Sequence, residues 1–213
     1  MCFSAEADVV AGVVIGAIGI EGLRHVRRPP ELWLASLPLV LAAHQLVEAF
    51  VWWGTWRPAA GIYLAIAFGV LPVLMPVAVG ALEPPERRRL SRVFVAIGAA
   101  VAVALMYAVV RGPVDAHIQE RHIEYSVDLW AGGFLVALYV LATCGPALLS
   151  RYRPVRWFGV GNVLVAATLA WISQTAFISL WCMWAAVTSV AIVLHLRLAH
   201  PGRPPTTLRP VSD

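Results

Sequence analysis

Apolar residues along this chain come in blocks of about 20, the length that crosses a ~30 Å hydrocarbon core as a helix. Reading the blocks between charged or Pro/Gly-rich breaks predicts seven spans, at residues 5–23, 32–53, 59–82, 93–110, 129–149, 157–173 and 176–196. The blocks are continuous, without the alternation that marks barrel strands. Only the polar break Ser173-Gln174-Thr175 separates the last two, and it is read as the turn of a helical hairpin. The predicted fold class is all-α: a polytopic integral membrane protein, a seven-transmembrane-helix bundle over residues 1–198. A tail rich in Pro and Arg, residues 199–213, is expected to be disordered.

The polar positions between the blocks orient the bundle. Arg24, Arg27 and Arg28 lie in the first connection, and Arg87, Arg88, Arg89 and Arg92 in the third. Arg151, Arg153 and Arg156 lie in the fifth, and Arg197, Arg203 and Arg209 follow the last span. The alternate connections hold only Arg57, Arg111 and Arg121, a division of thirteen against three. By the positive-inside rule the N-terminus is outside and the C-terminus cytoplasmic, as expected of a multi-pass protein of the plasma membrane. That arrangement requires an odd number of spans.

Composition agrees. The chain is 60% hydrophobic and 13% charged, with a mean hydropathy of +0.77, against about 45–50% and about 25% in soluble domains. Every one of the 16 basic residues is arginine. Without lysine there is no Schiff base and so no retinal. The net charge of +4 reads as topology rather than nucleic-acid binding, with membrane lipids as the expected partner. The three cysteines show neither CxxC spacing nor a disulfide framework. The opening M-C-F-S-A-E-A-D has no basic n-region and no A-x-A-like site, so a removed signal peptide is not expected.

Several features read as packing. Gly12, Gly16 and Gly19 form a small-residue ridge for a close helix neighbour. Pro72 and Pro76 should kink the third span or expose its carbonyls. Trp52, Trp53, Trp56 and Trp130 read as an interfacial belt. Glu21 with His25 reads as a pair at the inner end, and Asn162 as a hydrogen-bonding residue between helices. Asp128 is expected to cap the fifth helix.

Chemistry gathers in L-A-A-H-Q-L-V-E-A-F-V-W-W, residues 41–53. Entering from the cytoplasm near Leu32, His44 lies about 18 Å and Glu48 about 24 Å along the axis, at ~1.5 Å per residue. Both fall in the outer half, one turn apart on one face. An imidazole and a carboxylate so placed can share a metal, pass a proton or simply bond to each other as a packing pair. The N-terminus adds Cys2, Glu6 and Asp8. The fourth connection adds Asp115, His117, Glu120, His122, Glu124, Tyr125 and Asp128. Its plain alternative is a solvated loop, and Ser4 with Glu6 and Asp8 also reads as an N-cap with first-turn acids. Cys2, with Met1 removed, offers an amine and a thiol as ligands.

Two comparisons stop at topology. Microbial rhodopsins share seven spans and an outer N-terminus but need the missing lysine. Seven-span zinc hydrolases related to alkaline ceramidases and adiponectin receptors want a serine four residues before the second-span histidine, where this chain has Val40. They also want HxxxH in the last span, where His195 and His200 are five apart. A closer likeness lies in M-C-F-S-A-E-A-D, R-R-P-P-E-L and H-Q-L-V-E-A-F-V-W-W. These resemble a family of uncharacterised bacterial membrane proteins that begin with MCFSA and carry Q-x-x-E-x-x-x-W in the second span. The matching residues are Cys2, Phe3, Ser4, Gln45, Glu48 and Trp52, and they shift emphasis from His44 to the Gln45–Glu48 face.

Three functions remain. The first is a pocket in the outer leaflet binding a small solute, ion or lipid through Glu48, Gln45, His44, Trp52 and Glu6. The second is a membrane enzyme with a divalent transition metal held by some of His44, Glu48, His117, His122 and Cys2. The third is a structural subunit. No inverted repeat is visible, which counts against a secondary transporter.

Overall fold

The computed structural model describes residues 4–118, 123–129, 131–172 and 177–198. The chain folds into seven helices and one short hairpin among these residues: α1 (Ala5–Arg24), α2 (Glu31–Trp53), α3 (Ala59–Leu82), α4 (Arg88–Arg111), α5 (Gly132–Leu148), α6 (Arg153–Ile172) and α7 (Phe177–Leu198). The hairpin pairs β1 (Asp115–Ile118) with β2 (Ile123–Ser126) between α4 and α5. Three segments, Glu31–Trp53, Ala59–Leu82 and Pro85–Arg111, are long and apolar enough to cross a membrane. Large apolar side chains also cover the outside of the bundle: Val103 on α4 is 71% exposed, Val110 80%, and Phe134 on α5 64%. An apolar surface of this kind suits lipid rather than water.

Local chemistry sets the helix ends. The Ser4 hydroxyl accepts from the Ala7 N–H at 3.3 Å, and Glu6 and Asp8 sit in the first turn of α1. Gly54 ends α2 in the left-handed region at φ 60°, a conformation glycine adopts without steric penalty. α4 starts five residues before the predicted block, because the break is Pro84-Pro85 and not the arginines, which are good helix formers. α5 begins at Gly132 with Ala131 in the capping position, so Asp128 does not cap it. The predicted turn Ser173-Gln174-Thr175 and the tail lie outside the described residues.

The glycine ridge of α1 is met by α2. A Cβ at Gly12 would strike Leu46, one at Gly19 would strike Leu39, and Gly16 faces Ala42. The two helices therefore run antiparallel in close contact. At one end of the bundle, Leu34, Ala35, Leu37, Leu74, Ala78, Ile192 and Leu196 form a buried core. Arginines surround this end. Here the buried Glu83 accepts the Ser150 hydroxyl and the Arg151 N–H (3.1 Å), and Arg87 donates to the Leu149 carbonyl at 2.7 Å. The Glu21 carboxylate is 2.6 Å from Arg197 on α7 and 3.6 Å from His25, so its nearer partner lies on another helix.

α3 is not uniformly α-helical. Residues Ala65–Val70 form a π turn, in which the Leu71 N–H bonds to Ile66, five residues back. The next donor in that pattern would be residue 72, a proline without an N–H. Its expected acceptor, the Ala67 carbonyl, instead receives the Tyr139 hydroxyl of α5 at 2.9 Å. Pro76 likewise withdraws the donor that an α-helix would give the Pro72 carbonyl. Gly98 of α4 closes on that oxygen, and a Cβ there would overlap it.

Candidate functional site

At the end opposite the arginines, the fold brings together polar side chains from three helices and the hairpin. His44, Gln45 and Glu48 of α2 are all buried, Glu48 to 1% exposure. Asp8 of α1 is buried completely, at 0%. Extending the α1–α2 register one turn beyond Gly12 sets Asp8 beside the Glu48–Ala49 turn. Two carboxylates on touching helices thus share one level of an apolar bundle.

A ladder of rings roofs this region. The His44 imidazole stacks on Tyr63 of α3, with centroids 3.9 Å apart and planes at 24°. Tyr63 stacks in turn on Tyr125 of β2, at 4.5 Å and 12°. Stacks of this kind contribute about 0.5–1.5 kcal/mol each beyond area burial. Ile123, next but one in β2, is buried against Val51 and Ala59, which seats the hairpin on the ends of α2 and α3. The strand register explains which hairpin residues point inward. Ala116 lies opposite Tyr125 on the packed face, while His117 lies opposite Glu124 and is exposed.

Nε2 of His44 and Nε1 of Trp52 are buried without a hydrogen-bond partner among the described residues. A buried donor or acceptor left so costs about 1–3 kcal/mol, which marks the spot as one where a further group would be welcome. Phe50, Trp53 and Trp56 form an edge-to-face cluster just outside, at 5.5 and 5.8 Å.

The residues expected from sequence thus divide. His44, Gln45, Glu48 and Trp52 gather on α2. Glu6 does not join them: it is exposed in the first turn, and the acid turned inward is Asp8. The reason is periodicity, since Asp8 is four residues before Gly12 and lies on the ridge that faces α2. His117 is not brought to His44, and no group of three or more His, Cys, Asp or Glu placed to hold a metal occurs among the described residues. Cys2 and His122 lie outside those residues, as does Trp130. Tyr63 was missed by sequence reasoning, since a tyrosine within an apolar block reads equally well as lipid-facing.

A family model described as a family of unknown function, DUF6629, matches residues 1–206. The chain belongs to that family. DUF6629 membership agrees with the likeness to an uncharacterised family, and the match extends over nearly the whole chain. No curated protein and no solved structure matches the chain. The DUF6629 fold described above therefore has to be interpreted from its own residues.

Proposed function

We propose that this chain is a seven-span protein of the plasma membrane, N-terminus outside, whose hairpin end encloses a binding pocket for a small cation or cationic solute. Glu48 is the charged anchor, with Asp8, Gln45 and His44 around it and Trp52 at the rim. The observation that carries the reading is the pair of fully buried carboxylates, Asp8 and Glu48, on touching helices beneath the hairpin. Placing a charged carboxylate at hydrocarbon depth costs at least ~2.5–3.5 kcal/mol by insertion scales, so such groups collect where they act on an ion or solute. Carboxylate and amide oxygens are acceptors, so the occupant that matches them carries positive charge or N–H donors. Three apolar helices, an exposed apolar surface and arginines collected at the far end support the membrane placement.

The test is thermal unfolding of the purified protein in a panel of Na⁺, K⁺, ammonium, methylammonium and Zn²⁺. A ligand at a hundred times its Kd stabilises by about 2.7 kcal/mol. At least one cation is expected to raise Tm, and Glu48→Gln and Asp8→Asn are each expected to remove that rise while remaining folded. A protein unmoved by every cation would return the cluster to a packing role in a structural subunit.

His44 Nε2, one turn from Glu48 and without a hydrogen-bond partner among the described residues, favours a second reading, a transition-metal enzyme. It predicts that only the Zn²⁺ arm responds and that His44→Ala abolishes the response.

A further inference from the structure

At the arginine end, an open groove of about 470 Å³ runs between the start of α2, the last turns of α3 and the first turns of α4. Its walls are apolar: Pro29, Pro30 and Trp33 on one side, Pro76, Val77 and Ala81 on the other. Trp33 is half exposed, at 50%. Its polar end is formed by Arg88, Ser91 and Arg92 of α4. The two guanidiniums are four residues apart, on one face of the helix, at the positive end of its dipole. Neither takes part in an ion pair or hydrogen bond among the described residues. No acidic residue lines the groove. Glu31, which follows Pro30, is occupied by the Arg28 side chain at 2.8 Å and by the Arg27 and Arg28 N–H groups.

From this charge complementarity we infer that the groove is a site for one anionic phospholipid, its phosphate between Arg88 and Arg92 and an acyl chain along Trp33 and Val77. Arginine forks match phosphate oxygens in pairs. An aromatic ring at the interface and an apolar wall below it suit the rest of the lipid. The inference rests on the membrane placement and not on the pocket at the hairpin end, so either can fail alone.

The experiment is native mass spectrometry of the full chain, released from nanodiscs of phosphatidylglycerol and phosphatidylcholine mixed equally. Two guanidiniums near the membrane surface correspond to about a 30-fold preference for the anionic lipid, at about 1 kcal/mol each. Wild type should retain one phosphatidylglycerol with that preference, and the Arg88→Gln/Arg92→Gln variant should lose it. Val77→Trp keeps both charges and fills the apolar wall, so it should lose the lipid as well. Arg153→Gln/Arg156→Gln, at the same end but outside the groove, should behave as wild type. Three results would overturn the inference. One is equal retention of both lipids, and another is equal loss in the Arg153/Arg156 variant. The third is displacement of the lipid by millimolar glycerol phosphate or inorganic phosphate, which would make the site one for a free anion.

Discussion

Replacing Tyr139 by Phe removes one oxygen atom from the contact between α5 and the π turn of α3. That hydroxyl is the donor to the Ala67 carbonyl, at 2.9 Å, and Pro72 cannot supply another. The mutant therefore leaves a half-buried carbonyl with no donor in an apolar bundle, at a cost of about 1–3 kcal/mol. Hydrogen bonds between side chains in membrane bundles average only about 0.6 kcal/mol, because the unfolded state finds partners too. A loss well above that floor would identify the orphaned carbonyl, rather than the lost bond, as the larger effect. The decisive assay is a double-mutant cycle with Pro72→Ala, followed by equilibrium unfolding in mixed detergent. Alanine restores an N–H at position 72, so Tyr139→Phe should cost far less in the Pro72→Ala background. The two substitutions should then couple by at least about 1 kcal/mol. Strict additivity would refute the account of how the π turn is held.

Three further outcomes are expected. Gly98→Ala should destabilise by more than about 3 kcal/mol or prevent folding, because its Cβ meets backbone that cannot turn aside, whereas Gly133→Ala meets nothing within 4 Å and should be neutral in the same unfolding assay. Ile123→Asp withdraws the apolar anchor of the hairpin, about 1.5–3 kcal/mol of burial, so amide hydrogen exchange over 115–126 should speed up roughly 10- to 100-fold with α4 unchanged. An unaltered hairpin would mean that the ring ladder alone seats it. Orientation is checked by labelling intact cells in a Cys2→Ser background: Ser126→Cys should react with an impermeant maleimide from outside and Arg89→Cys only after lysis. The reverse pattern would invert the whole placement.

The helices were legible because long apolar blocks mark them, and all seven appear within a few residues of their predicted limits. Their ends were less so. Arginine reads as a boundary by charge yet propagates a helix well, which is why α4 reaches back to Arg88. The hairpin was read as plain connection, since D-A-H-I and I-E-Y-S are too short and too polar for alternation to stand out. Half of the site was legible, and for one reason: a histidine, an amide and a carboxylate are conspicuous in hydrocarbon. Tyr63 and Tyr125 carry no such contrast, and their role exists only once the hairpin folds over α3. Asp8 was within reach. Continuing the Gly12–Gly16–Gly19 ridge back one turn selects it over Glu6.

The π turn also acts as a phase setter within α3. An ordinary helix advances about 100° per residue. Buried Tyr63 on one side of residues 65–70 and buried Leu74 and Ala78 on the other share a single rod, and their common inward direction depends on the wide turn that absorbs the extra residue between them. Deleting one residue from 65–70 would give a regular helix with the halves still in phase, but forcing all six residues into regular geometry would rotate one half against the other by about 100°. Either the ring ladder at the hairpin end or the aliphatic core at the arginine end would then face outward. The width of this turn, which absorbs one residue more than an α turn, keeps the two ends of the molecule facing inward together.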